Sequence, residues 1–179
     1  MALTEKQSGV LKGMLLGAII ALAIVILGAW FNPFSFNENM GAIDRLGIAI
    51  TSALLPAILL AISVGRLAKH RFFTPEDIDG GGLSKGTQQA EVLQSLLQNT
   101  LEQFAIAIIA YLSWAIVMPA TTLSVVPLAA IAFTIGRIMF FAGYKQGAPS
   151  RAMGFTLSFY TSLAMLICII GVVCWQLIN

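Results

Sequence analysis

The chain has 179 residues, 58% of them hydrophobic and 10% charged, with a net charge of +2 and a mean hydropathy of +0.89. A soluble domain carries about 25% charged residues, so this composition excludes an ordinary water-soluble fold. The charge excess is too small to mark nucleic acid as a partner, and at this length one helical bundle accounts for the whole molecule.

Five apolar segments are long enough to cross a bilayer, which takes about 20 helical residues. The first runs from Gly9 to Phe31, carries no charge after Lys12 and stops at Asn32-Pro33. Its apolar stretch from Gly13 to Phe31 exceeds the roughly 7 to 15 residues of a signal-peptide core, which favours a true span. Gly13, Gly17 and Ala21 recur every fourth residue and permit close helix approach, either to another subunit or within one chain. The second segment covers Leu46 to Gly65. The third starts polar near Gln88, becomes apolar from Phe104 to Met118 and ends at Pro119. The fourth covers Leu123 to Tyr144, and the fifth runs uncharged from Ala152 to the end of the sequence.

The one sizeable loop is Arg66 to Thr87. Within it, Thr74-Pro75-Glu76-Asp77 predicts a short surface helix: Thr74 caps, Pro75 takes the first helical position and the acids sit in the first turn. Gly80-Gly81-Gly82 ends it and predicts a hinge. His70, alone between Lys69 and Arg71, reads as a loop residue and not as a metal ligand. Cys168 and Cys174, six residues apart on one helix, are about 9 Å apart along the axis and too far to bridge each other; they read as buried small hydrophobes.

With five spans, the N-terminus, the large loop and the fourth-to-fifth turn share one side. Of the ten lysines and arginines, only Arg45 lies on the opposite side and only Arg137 inside a span. Cytoplasmic loops carry the excess of positive charge, so the N-terminus is expected in the cytoplasm.

Charges inside the spans are the chemically informative part. On the third span Glu91, Ser95, Gln98 and Glu102 form one stripe, with Asn99 and Gln103 beside it. Glu102 and Arg137 both lie roughly 21 to 24 Å from the external hairpin that joins their helices, at 1.5 Å per residue. An intramembrane charge is costly and normally faces a partner, a cavity or a ligand. The matched depth predicts that Glu102 and Arg137 face one polar cavity with Asn99 on its wall, or form a structural ion pair. Arg137, Tyr144 and Arg151 recur every seven residues, close to two helical turns. This ladder toward the cytosolic rim favours a cavity that takes an anionic or zwitterionic ligand.

These residues resemble a known family, the membrane-associated proteins in eicosanoid and glutathione metabolism (MAPEG). The resemblance covers Ile58 to Asn179. It rests on Arg66 with the basic loop and Thr74-Pro75-Glu76-Asp77, on Asn99-x-x-Glu102, and on Gly136-Arg137, Gly143-Tyr144 and Arg151. It implies an all-α integral membrane bundle: residues 46–179 as the family's four-span bundle, and residues 1–45 as an added N-terminal transmembrane helix with an external loop. It further implies a homotrimer with glutathione sites between subunits near the cytosolic side. In that arrangement Arg151 is catalytic, steering the thiol toward thiolate, and Arg66, Asn99, Glu102, Arg137 and Tyr144 hold the peptide. The chain departs from the family pattern at Ser95, where an arginine is usual, at Leu97, where a polar residue is common, and at Phe140, where a tyrosine or histidine is expected. The expected function is a glutathione-dependent transferase or peroxidase acting on a lipophilic small-molecule substrate that enters from the membrane lipids, in the bacterial inner membrane. The other expectation is a non-catalytic lipid-binding or scaffold protein.

Overall fold

The computed structural model describes residues 3–179, and these form five long helices with no strand among them. They are α1 (Glu5–Phe31), α2 (Ala42–Phe73), α3 (Gln88–Val117), α4 (Val125–Gly143) and α5 (Ala148–Ile178). All five are long and apolar enough to cross a membrane, as the five apolar runs predict.

Local chemistry sets the helix ends. Thr4 and Gln7 form a capping box at the start of α1, satisfying two backbone donors that a helix start leaves free. Asn32 ends α1 in the left-handed conformation at φ 42°, a region asparagine tolerates. Its Oδ1 accepts from Ser124 Oγ at 2.6 Å, which ties the outer end of α1 to the start of α4. On the same side, Arg45 donates to the carbonyl of Met118 and the Trp114 indole donates to Thr122 O at 3.1 Å.

The α2–α3 end of the bundle departs from expectation. α2 runs on to Phe73, so His70 is helical and not in a loop. Hydropathy ends at Arg66, but Leu67-Ala68-Lys69 are good helix formers and the helix continues beyond the apolar run. The predicted surface helix is a single 3₁₀ turn, Pro75–Asp77, and Thr74 makes no side-chain cap. Asp77, expected at the surface, is 1% exposed. Its carboxylate accepts from Thr87 N at 2.7 Å, Thr87 Oγ1 at 2.6 Å and His70 Nε2 at 2.8 Å. The Thr87 hydroxyl, first among these, holds the Asp77 carboxyl below its usual value. Thr87 also accepts from Ala90 N at 3.2 Å and so caps α3. This clasp joins the end of α2 to the start of α3.

The apolar core lies among α2, α3, α4 and α5 around Tyr111, Trp114, Phe133 and Met165. α4 and α5 touch backbone to backbone at Gly154, where a Cβ would lie 2.5 Å from Phe140 N and 2.6 Å from Gly136 O. α1 packs mainly on α5. A Cβ on Gly17 would lie 2.0 Å from Thr156 Oγ1, and Thr156 Oγ1 donates to Gly13 O at 3.2 Å. The small-residue stripe of α1 is therefore used within the chain. Cys168 and Cys174 are free and exposed on α5, not buried: the outward face of an outer helix meets lipid, so apolarity there does not signal the core.

Candidate functional site

A cavity of about 630 Å³ opens between α3, α4, α5 and the first turns of α1. Asn99 and Glu102 reach it from α3, Tyr144 from the end of α4 and Arg151 from the first turn of α5. Four of the six residues expected at the site thus share one cavity within a single chain.

Helix geometry explains why these four meet. Asn99 and Glu102 are three residues apart and lie on one helix face. α4 ends at Gly143, and a three-residue 3₁₀ turn followed by Gly147 at φ 103° reverses the chain. Glycine is the residue that tolerates that backbone. The reversal lays the Arg151 guanidinium over the Tyr144 ring at 4.3 Å. This contact holds the charge at the cavity wall without neutralising it. The Tyr144 ring meets Phe140 edge-on at 5.4 Å, so Phe140, Tyr144 and Arg151 form a continuous stack.

Arg137 sits behind this wall. It is 0% exposed and does not line the cavity itself. Its Nη1 donates to Asn99 Oδ1 at 2.7 Å, and its guanidinium lies 4.2 Å over the Phe140 ring. Nε and Nη2 have no partner, which is unusual for buried donors. Phe140, where the family usually has a polar ring, serves here as the apolar face on which Arg137 rests.

Glu102 is exposed at the cavity and accepts from Gln98 Nε2 at 2.8 Å. It is not ion-paired with Arg137: among the described residues the one salt bridge is His70–Asp77. Equal depth on two helices leaves the rotation of each helix open, and here rotation aims Arg137 at Asn99, one turn nearer the start of α3. Gln103 also turns away from the stripe. It is buried, and Ser158 Oγ donates to its Oε1 at 2.5 Å, joining α3 to α5.

Arg66 lies apart. It lines a separate cleft with Lys69, His70 and Gln89, and its guanidinium is 5.6 Å from the Phe141 ring. Of the departures from the family pattern, Ser95 does line the main cavity, with its hydroxyl donating to Glu91 O at 2.9 Å. Leu97 does not line it.

The cavity has further residues that the sequence did not single out. Phe155 and Tyr160 belong to it from α5, and Val10 and Met14 from α1. Phe155 stands one turn beyond Arg151, a spacing that was available to find it. Val10 and Met14 carried no signal, because nothing in the sequence said which helix α1 packs on.

Chemically, the cavity combines an acceptor carboxylate, an unneutralised guanidinium, amide groups and aromatic faces. That set can hold a zwitterion and stabilise an anion. Comparisons with curated proteins and with solved structures found no match. Among models of known families, one matches residues 46–171, a span that includes α3, α4, nearly all of α2 and most of α5, and on that match the chain belongs to the MAPEG family.

Proposed function

We propose that the protein is a membrane-embedded, glutathione-dependent transferase or peroxidase acting on a lipophilic electrophile. The observation that carries this reading is Arg151, stacked on Tyr144 at the same cavity as Asn99 and Glu102. A thiol has a pKa of about 8.5 and falls toward the thiolate beside a guanidinium. The thiolate is the nucleophile.

The residues present fit the tripeptide. Arg137, buried behind the cavity wall, acts on the ligand only through Asn99, whose Oδ1 accepts from its Nη1. Glu102, free of any cation, is an acceptor for an ammonium group. Asn99, already bonded to Arg137, keeps its amide donors for the ligand, and the Tyr144 hydroxyl adds another donor. Arg151 acts on the sulfur. The thiol proton passes to solvent, sulfur bonds to the electrophilic carbon, and the leaving group departs with its electron pair. Arg66, remote from this cavity within one chain, joins the site only if a neighbouring subunit supplies it, as in the homotrimer that the family resemblance implies, and native mass spectrometry reading a monomer or dimer would remove that element. The positive-inside bias supports insertion in a bacterial inner membrane with the N-terminus in the cytoplasm.

The test is Arg151→Ala. Conjugation of chlorodinitrobenzene is expected to fall by about 10²-fold or more, as for loss of one charge-stabilising donor, with the fold retained. The ultraviolet thiolate band of bound glutathione is expected in the parent and not in the variant. A parent with no thiolate band at neutral pH, and no calorimetric heat with glutathione, turns the reading to a non-catalytic lipid-binding or scaffold protein. Ser95 and Phe140, each lacking the family's usual polar group, are the residues that favour that second reading.

A further inference from the structure

We propose that α1, which lies outside the matched region, supplies the wall that selects the apolar co-substrate, with Val10 and Met14 as specificity-determining residues for an elongated alkyl electrophile. The inference rests on the functional reading above and adds a part that the four-span bundle does not contain.

The two sides of the cavity differ in chemistry. The α3 side is polar throughout, from Gln94 through Asn99 to Glu102. The side built from α1 and α5 is mainly apolar, with Val10, Met14, Ala152 and Phe155 beside Thr156, whose hydroxyl is bonded to backbone carbonyls, and Tyr160. Arg151 stands with the apolar side but carries the charge. A zwitterionic thiol compound therefore suits one wall and a hydrocarbon the other, with the reacting sulfur between them. Along α5 the cavity extends from Ala148 to Tyr160, a rise of about 18 Å at 1.5 Å per residue. That is the shape for a chain and not for a compact ring.

α1 is held in place firmly enough to act as a wall. Gly13 and Gly17 let its backbone lie on α5, with Thr156 bonded to Gly13 O. Asn32 fixes its far end to Ser124. This docking sets the rotation of α1, so that Val10 and Met14 line the cavity, Met14 still 36% exposed at its mouth, while their neighbours Leu11 and Leu15 do not line it. Methionine, unbranched and pliable, accommodates chains of varied shape.

The experiment compares Met14→Trp with Leu15→Trp, a matched change one residue away on the lipid-facing side. Conjugation of glutathione to dodecenal and to crotonaldehyde is measured with the detergent-solubilised protein. Met14→Trp is expected to lower kcat/KM for dodecenal by about tenfold, the scale at which hydrophobic pockets discriminate size, and to lower it less for crotonaldehyde. The dissociation constant for glutathione is expected to hold, because the α3 side is untouched. Leu15→Trp is expected to match the parent. Equal losses for both aldehydes, or equal effects of the two variants, overturn the proposal.

A second measurement does not depend on glutathione. A diazirine-tailed dodecanol is photolysed with the protein, with and without excess dodecanol, and the labelled residues are mapped. Labelling suppressed by the competitor is expected at Val10 and Met14, and unsuppressed bulk labelling at Leu11 and Leu15. If glutathione fails to bind, the functional reading falls and this mapping alone decides the role of α1. Absence of competed labelling on α1 overturns the proposal in either case.

Discussion

Replacing Arg137 by methionine separates stability from function in this protein. The side chain is fully buried, with one hydrogen bond, one aromatic contact and no anion in salt-bridge reach. Keeping an ion out of water costs several kcal/mol even after relaxation. Against this stand a hydrogen bond from a charged donor, about 1.5 to 3 kcal/mol, and a cation–π contact of about 0.5 to 2 kcal/mol. Methionine keeps the aliphatic stem against Phe140 and leaves Asn99 at the cavity, where water replaces the lost donor. Arg137→Met is therefore expected to be more stable than the parent by about 1 to 3 kcal/mol, in the range found when buried ionic groups are replaced by apolar ones. For a chain of this size each kcal/mol raises the melting temperature by about 2 to 4 °C. The same variant is expected to bind glutathione up to about tenfold more weakly by calorimetry, since Asn99 at the cavity loses the charged donor that orients it. Thermal unfolding in detergent reads the first effect. A variant less stable than the parent refutes the reasoning, because the guanidinium then has a counter-charge in the assembled protein that offsets its burial.

Two further substitutions probe the frame around the site. Gly154→Ala places a Cβ 2.5 Å from Phe140 N, where ordinary contact begins at 3.4 Å, so α4 and α5 must part by about 0.9 Å (3.4 less 2.5). Overpacking of that kind costs about 1 to 3 kcal/mol; Gly171→Ala on the same helix meets nothing within 4 Å and is expected to leave the melting temperature level or raised, so equal melting temperatures for the two variants would count against the contact. Asp77 titrates below its usual value, held there first by the Thr87 hydroxyl. A depressed folded value means that the clasp contributes above the unfolded pKa of about 3.9 and is lost as pH falls through the folded one. The protection factor of the loop between Gly80 and Lys85 against hydrogen exchange, taken relative to the intrinsic rate at each pH, is expected to be high at neutral pH and low well below pH 4 in the parent. In Thr87→Val it is expected to be low already at neutral pH, and identical profiles would dismiss the clasp.

The helices were legible because apolar length and glycine or proline punctuation are one-dimensional signals. Asn32-Pro33 and Pro119 end helices where the sequence places them. Asn99 and Glu102 were legible for a related reason: three residues apart on one helix, they share a face in space as in sequence, whereas Tyr144 and Arg151 meet across a reversal of the chain. What failed needed a second coordinate. The depth of Glu102 and Arg137 is a sum of rises along each helix, but their pairing depends on how each helix is rotated. Asp77 looked like a surface acid because the partners that bury it, His70 and Thr87, lie on two different helices. Val10 and Met14 were invisible for the same reason, and the cysteines were misjudged because an apolar helix gives no sign of which face meets lipid.

The docking of α1 on α5 also has a consequence in time. The bond between Thr156 and Gly13 spans 143 residues. At a synthesis rate of about 5 to 20 residues per second, α1 leaves the ribosome on the order of ten seconds before the surface it docks on exists. During that interval its glycine face has no partner in the chain. α1 must therefore wait in the bilayer, or against the insertion machinery, as an independent span. α1 is then made well before α5 but finds its place only with it, and premature pairing of two nascent α1 helices through Gly13 and Gly17 is the error to which this order of assembly is exposed.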